Sequence, residues 1–160
     1  MSRGDLAGGG APLASAGPTV RVPGYRFGAR FTIDLADTDL GAVVYYARYP
    51  RYLDRAVFAY RSHLGVPPLG PPGHLFVVRS LSCDYRASAR FDDGVEVLVR
   101  VSEVGRSSHT VDARMERVGP EAPGLLCEMR CVIVGVTDYG GRPSRVPAEL
   151  RDAIERFEGP

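Results

Sequence analysis

The chain has 160 residues, of which 44% are hydrophobic and 24% charged, and its formal net charge is +1. That size and balance suit one globular domain with a single core. A near-neutral charge provides no field to draw the chain to nucleic acid or an anionic membrane, and no run of about 18 apolar residues is present to span a bilayer. Every one of the 20 Lys-plus-Arg positions is an arginine. This reads most simply as compositional bias, while the functional reading is a supply of planar guanidinium forks for phosphate or carboxylate. Composition leaves both open.

Residues 1 to about 22 are rich in Gly, Ala, Ser and Pro and have no periodicity. They are expected to form a flexible tail ahead of a folded domain over 23–160. They also lack the apolar stretch of a signal peptide. Arg26 to Leu35 alternates, with Phe27, Phe31, Ile33 and Leu35 on one side, and predicts a strand. The run Asp37-Thr38-Asp39-Leu40-Gly41 then forms a turn and leads into Val43-Val44-Tyr45-Tyr46.

The period changes after that. Tyr49, Leu53, Ala56, Val57, Tyr60 and Leu64 recur at helical spacing, with Pro50 in the first turn, where its missing N–H costs nothing. Gly65 and the Pro-rich run to Gly73 end the helix. Strands follow at His74–Tyr85, Val95–Val101, Thr110–Glu116 and Leu125–Val136, the last apolar enough to be a central strand covered on both faces. Gly105-Arg106-Ser107 supplies a tight hairpin turn and Gly119 to Gly124 a looser one. Pro147 to Phe157 shows a short helical pattern. The order strand, long helix, four strands, short helix indicates an α+β domain with an antiparallel sheet that can wrap round one helix.

Three cysteines, Cys83, Cys127 and Cys131, make an odd set that does not suit a disulfide framework. Cys127 and Cys131 on one strand would lie roughly 13 Å apart along it, too far for a disulfide or a shared zinc. They read as buried, inert thiols in a reduced cytoplasmic setting.

The segment from Asp37 to Tyr46, leading into Arg51-Tyr52-Leu53-Asp54-Arg55, resembles the 4-hydroxybenzoyl-CoA thioesterase family, including its YbgC-like acyl-CoA thioesterases. The likeness continues through Val77-Val78-Arg79 and Tyr85-Arg86-Ala87-Ser88-Ala89-Arg90, and covers roughly Phe31 to Phe157. The resemblance implies a hotdog fold and a homodimer or homotetramer whose sheets join. It implies an active site at the subunit interface, an acyl-CoA, aryl-CoA or acyl-carrier-protein thioester as substrate, and no cofactor or metal. By position, Asp39 takes the role of the catalytic carboxylate, as nucleophile or general base. Tyr46 takes the role of the residue whose backbone N–H polarises the thioester carbonyl. YbgC-like members usually carry His at that place and the hydroxybenzoyl enzymes Tyr, so the site looks nearer the aryl enzyme.

The chemistry fits. Free N–H groups at a helix start can receive charge on a carbonyl oxygen, and a carboxylate on the preceding turn can attack or activate water. Gly41 and Tyr45 join the candidate substrate-binding set, Tyr45 being either pocket or core. Arg79, Arg86 and Arg90 are candidates for the phosphates of coenzyme A. Asp37 reads as turn or helix-entry support. Ser107-Ser108-His109 could suggest a nucleophile and base, but neighbours on a strand point to opposite faces and no nucleophile elbow is present. His63 and His74 read as surface residues. The alternative to an enzyme is a hotdog protein that binds acyl thioesters without turning them over.

Overall fold

The computed structural model describes residues 13–119, 124–138 and 140–159. Six strands form one antiparallel sheet: β1 (Leu13–Pro18), β2 (Phe27–Thr32), β3 (Leu75–Tyr85), β4 (Gly94–Val104), β5 (Ser108–Arg117) and β6 (Gly124–Val136). Two helices accompany them, α1 (Tyr49–His63) and α2 (Ala148–Glu158). The spatial order of strands is β1-β2-β4-β5-β6-β3. The helix α1 therefore sits in the chain between β2 and β3, while β3 crosses to the far edge of the sheet.

The core lies between α1 and one face of the sheet. Val95, Val97 and Val99 of β4 are fully buried, and the register sets Val97 between Ala29 of β2 and Met115 of β5. From the helix side come Tyr49, Tyr52, Leu53, Ala56, Val57 and Tyr60, at the spacing that puts one stripe of a helix inward. Each buried side chain of this size contributes about 1.5–3 kcal/mol by leaving water. The ring of Tyr52 meets Phe31 edge-on at 5.5 Å, and that of Tyr60 meets Phe27 at the same distance. Among the described residues no helix is long and apolar enough to cross a membrane.

Two expectations need correcting. The segment expected to be a tail contains β1, whose Leu13 to Pro18 pair with Phe31 to Phe27 of β2. Its side chains are almost all exposed, so it is held by backbone ladder bonds rather than by an apolar pattern. Residues 1–12 lie outside the described residues. The strand expected at Leu125–Val136 is interior but not covered on both faces. It lies next to the edge strand β3, burying Leu126, Cys127, Met129 and Cys131 while Arg130 faces solvent. Most of the looser turn expected at Gly119 to Gly124 falls outside the described residues.

The face of the sheet away from α1 is charged. Glu96 and Glu116 stand opposite one another on β4 and β5, and both are buried. Arg21, from the connection after β1, resolves the conflict: its Nε lies 2.7 Å from Glu96 and its Nη1 2.7 Å from Glu116. Beside it, the Tyr25 ring lies 5.1 Å from the guanidinium of Arg100.

A charged residue of α1 is also buried. Arg61 of α1 donates through Nη1 to the carbonyl of Pro68 at 2.9 Å and lies over the Phe76 ring at 4.2 Å. Its Nη2 meets Nε2 of His109 at 3.4 Å. Arg61 thus ties the Pro-rich loop to the helix end. It also settles His109, which is no catalytic base but a buried acceptor with its ring against Phe76. His63 is exposed as expected, whereas His74 is half-buried, its Nδ1 3.3 Å from Ser144.

Burial, reinforced by the Arg61 charge, pushes the His109 imidazole down to about 3. The unfolded chain takes up a proton at this position below about pH 6.5, and the folded protein does not. The stabilisation is therefore complete above pH ~6.5 and is lost as pH falls toward 3, by at most about 1.4 kcal/mol per pH unit. The urea midpoint should fall between pH 7 and pH 5, and His109→Gln, which keeps an acceptor for Arg61, should flatten that fall. Equal slopes in both proteins would remove His109 as the cause.

Candidate active site

The site is built on the connection between β2 and α1. Asp34 caps a short 3₁₀ turn over Leu35–Asp37, its Oδ1 accepting from the N–H of Ala36 at 2.8 Å. This turn points the two aspartates in different directions. Asp37 goes inward and is 2% exposed; its Oδ2 accepts from the Tyr52 hydroxyl at 2.6 Å and its Oδ1 lies 3.3 Å from Nη1 of Arg51. Its carbonyl accepts from the N–H of Tyr45 at 2.9 Å. Asp37 is thus the support for helix entry that its place in the turn suggested.

Asp39 faces outward. It opens a tight turn in which the N–H of Ala42 donates to the Asp39 carbonyl at 3.0 Å and the N–H of Asp39 donates to Val43 at 2.9 Å. Its Oδ1 accepts from the N–H of Gly41 at 2.7 Å. This fixes the carboxylate against the turn and leaves Oδ2 with no protein partner among the described residues. A Cβ on Gly41 would stand 3.0 Å from Asp39 Oδ1, so glycine at 41 makes room for the carboxylate. The left-handed position is the next residue, Ala42, at φ 59°. That conformation costs a non-glycine residue of order 1 kcal/mol.

An isolated bridge between Thr38 and Val44 closes this turn, and a second, between Val43 and Arg90, clips it to the segment after β3. The N–H of Val44 also donates to the Ala89 carbonyl at 2.8 Å. The chain then enters a 3₁₀ turn over Tyr46–Arg48 that runs directly into α1. The N–H of Arg48 closes on the Tyr45 carbonyl at 2.8 Å. The N–H groups of Tyr46 and Ala47 have no protein acceptor among the described residues, as expected for the first positions of a helix.

Asp39, Val43, Tyr46, Tyr49, Tyr85 and Arg86 line an open groove of about 360 Å³. Asp39, Tyr46 and Arg86 are therefore brought together, with Gly41 behind the carboxylate. Tyr45 packs against Tyr46 with the rings tilted by 50° and their centroids 4.6 Å apart, outside the groove lining. Arg86 is engaged by Asp84 at 2.6 Å and Glu128 at 3.3 Å, which neutralises part of its charge. Arg90 reaches the turn through its backbone bridge to Val43, while its N–H donates to Asp93 Oδ2 at 2.8 Å. Arg79 lies elsewhere, in a separate groove with Val77, Ser107 and Ser108. It is six residues up β3 from Tyr85, about 20 Å at 3.3 Å per residue. Within one protomer it does not join Asp39.

Sequence reasoning missed Tyr49 and Tyr85 as groove residues. The Tyr49 hydroxyl accepts from the N–H of Ala89 at 3.0 Å, and its ring meets Tyr85 edge-on at 5.2 Å. The Tyr85 hydroxyl donates to the Tyr46 carbonyl at 2.7 Å. The available signal was the aromatic at the end of a strand leading straight into the Arg86-Ala87-Ser88 segment.

The sheet on one long helix, with a carboxylate turn leading into that helix, is a hotdog thioesterase arrangement. The profile of the thioesterase superfamily matches residues 41–123. The acyl-CoA thioesterase YbgC of Haemophilus influenzae is 32% identical over 126 residues, covering 76% of this chain and 89% of that protein. A thioesterase of Thermus thermophilus solved with coenzyme A and zinc superposes with a TM-score of 0.71 at 26% identity, covering 87% of this chain and 98% of that one. A mutant 4-hydroxybenzoyl-CoA thioesterase solved with 4-hydroxybenzoyl-CoA superposes at 0.73 with 22% identity, covering 79% and 96%, a likeness of fold. The chain belongs to the thioesterase superfamily and is a thioester hydrolase.

The Tyr52–Asp37 bond holds the loop that carries Asp39 against α1. Burial first, then the Asp37 carboxylate, push the Tyr52 hydroxyl up, so it stays a donor. Tyr52→Phe leaves a buried carboxylate one donor short and should cost about 1.5–3 kcal/mol in urea denaturation. A variant as stable as the parent would contradict the anchoring role.

Proposed function

We propose that this protein hydrolyses acyl-CoA thioesters, with Asp39 as the catalytic carboxylate and the free N–H groups of Tyr46 and Ala47 as the oxyanion donors. The observation that carries the reading is that an outward carboxylate and Tyr46 line one groove, with the N–H groups of Tyr46 and its chain neighbour Ala47 unpartnered among the described residues. Negative charge gathers on the thioester oxygen as its carbonyl carbon becomes tetrahedral. Preorganised N–H donors stabilise that charge, each worth about 10²–10³ in rate. Asp39 serves either by attacking the carbonyl carbon, giving an anhydride that water then opens, or by taking a proton from the attacking water. In both routes the thiolate of coenzyme A leaves and is protonated by solvent. The tyrosine walls of the groove, Tyr46, Tyr49 and Tyr85, favour an aromatic acyl group through edge and face contacts. The coenzyme A of the Thermus thermophilus relative and the activity in the name of the Haemophilus influenzae relative support coenzyme A as the carrier.

The working form is a homo-oligomer joined through β3. This is an edge strand of 11 residues, and Val78 and Leu81 on it are 54% and 40% exposed. A long apolar edge pairs readily with another copy of itself. Tyr85 closes the groove from the end of that strand, so pairing would border the site. The three free thiols suit a reducing, cytoplasmic setting.

The test is thiol release from acyl-CoAs running from short aliphatic to aromatic. Activity on at least one should fall by about 10³ or more in Asp39→Asn. An unimpaired mutant would remove Asp39 from the mechanism, and a folded but inert parent would leave the binding protein as the better reading. For assembly, Leu81→Arg should shift the mass seen by light scattering from oligomer toward monomer. An unchanged mass would place the contact elsewhere.

A further inference from the structure

Resting on the thioesterase reading, we infer that Tyr85 is a positioning residue for the oxyanion donors, holding and polarising the peptide whose N–H belongs to Ala47. The argument starts at Pro50. In a continuous α-helix the carbonyl of residue 46 would accept from the N–H of residue 50, but proline has none. The Tyr46 carbonyl is thereby open to a donor from outside the helix. Tyr85 supplies it from the last position of β3, at 2.7 Å.

That carbonyl and the Ala47 N–H are two ends of one planar peptide unit. A hydrogen bond accepted at the oxygen fixes the plane, and so fixes where the N–H points. It also draws electron density toward the oxygen and makes the N–H a stronger donor, the cooperative effect known from hydrogen-bonded chains. The neighbouring unit is treated in the same way. Its carbonyl, on Tyr45, accepts from Arg48 at 2.8 Å, and its N–H is the unpartnered one of Tyr46. Both open N–H groups thus belong to peptides whose oxygens are already engaged, one from within the helix and one from β3.

Tyr85 is equipped for the task. Its ring is braced edge-on by Tyr49, whose own hydroxyl is taken by Ala89. Desolvation and then the Cys83 thiol push its hydroxyl pKa upward, so it remains a donor throughout the neutral range. It lines the same groove as Asp39 and Tyr46. Because β3 is the edge strand proposed to join subunits, the hydroxyl also links the oxyanion donors to whatever holds that edge in place.

The test is Tyr85→Phe, which keeps the ring and its packing on Tyr49 while deleting the hydroxyl. Two readouts are needed. In the ¹H–¹⁵N spectrum of the full chain, the Ala47 amide should move upfield as its peptide loses polarisation. On the best substrate of the acyl-CoA panel, kcat should fall about tenfold with KM nearly unchanged, a smaller loss than the 10²–10³ for deleting a donor outright. A merely structural role would lower the melting temperature and raise KM without that split. An unmoved Ala47 amide, or a kcat equal to the parent's, overturns the inference. A parent inert on every thioester sinks the thioesterase reading and the catalytic half of this one, while the Ala47 shift still decides whether the hydrogen bond exists.

Discussion

A tyrosine can be buried only if its hydroxyl finds a partner, and α1 buries three of them. Tyr49, Tyr52 and Tyr60 each carry a large apolar ring into the core and a polar tip that must be satisfied there. The tips choose what else sits around the helix. Tyr52 takes Asp37 and so draws in the turn that presents Asp39. Tyr49 takes the N–H of Ala89 and draws in the segment that clips to Val43 and Val44. Tyr60 donates to Glu158 at 2.7 Å, and the same carboxylate oxygen accepts from the N–H of Val101 at 2.9 Å, which seats the end of α2 on β4. The helix is thus the core of the domain and also the frame from which its loops hang.

The elements with a strong apolar period were legible in the sequence. The stripe on α1 and the alternation on β4 and β5 came through because burial on one face writes itself into residue choice. So did the turn at Asp39 and the helix start at Tyr46, which depend on local chemistry. What was not legible depends on partners far along the chain. In β1, Leu13 to Pro18 lack β-branched residues and show solvent nearly all their side chains, so only the pairing with β2 makes them a strand. Arg79 shares a strand with Tyr85, yet the length of β3 carries it to a different groove. The interior but half-solvated position of β6 follows from strand order, which periodicity does not encode. His109, polar and in a strand, gave no sign that its partner was Arg61 on the helix.

The absence of lysine also acquires a physical reading at one place. Arg21 satisfies Glu96 and Glu116 with two different nitrogens of a single guanidinium, each at 2.7 Å. A planar fork can face two carboxylates on adjacent strands at once, whereas an ammonium is a point charge without that geometry. The outer face of the sheet can therefore hold two opposed, buried carboxylates, a pairing that would otherwise be repulsive.

The strand β1 has a bearing on how this protein can be trimmed. Its sequence looks dispensable, and of the described residues Leu13 to Val22 none has a buried side chain to lose in a deletion up to residue 22. It would, however, take away Arg21 and strip the outer edge of β2, leaving the backbone of Phe27–Thr32 bare at the end of the sheet opposite β3. A shortened protein of that kind would carry adhesive edges at both ends of one sheet, the geometry from which fibres and amorphous clumps grow. The boundary for any crystallisation or fusion variant therefore belongs before Leu13.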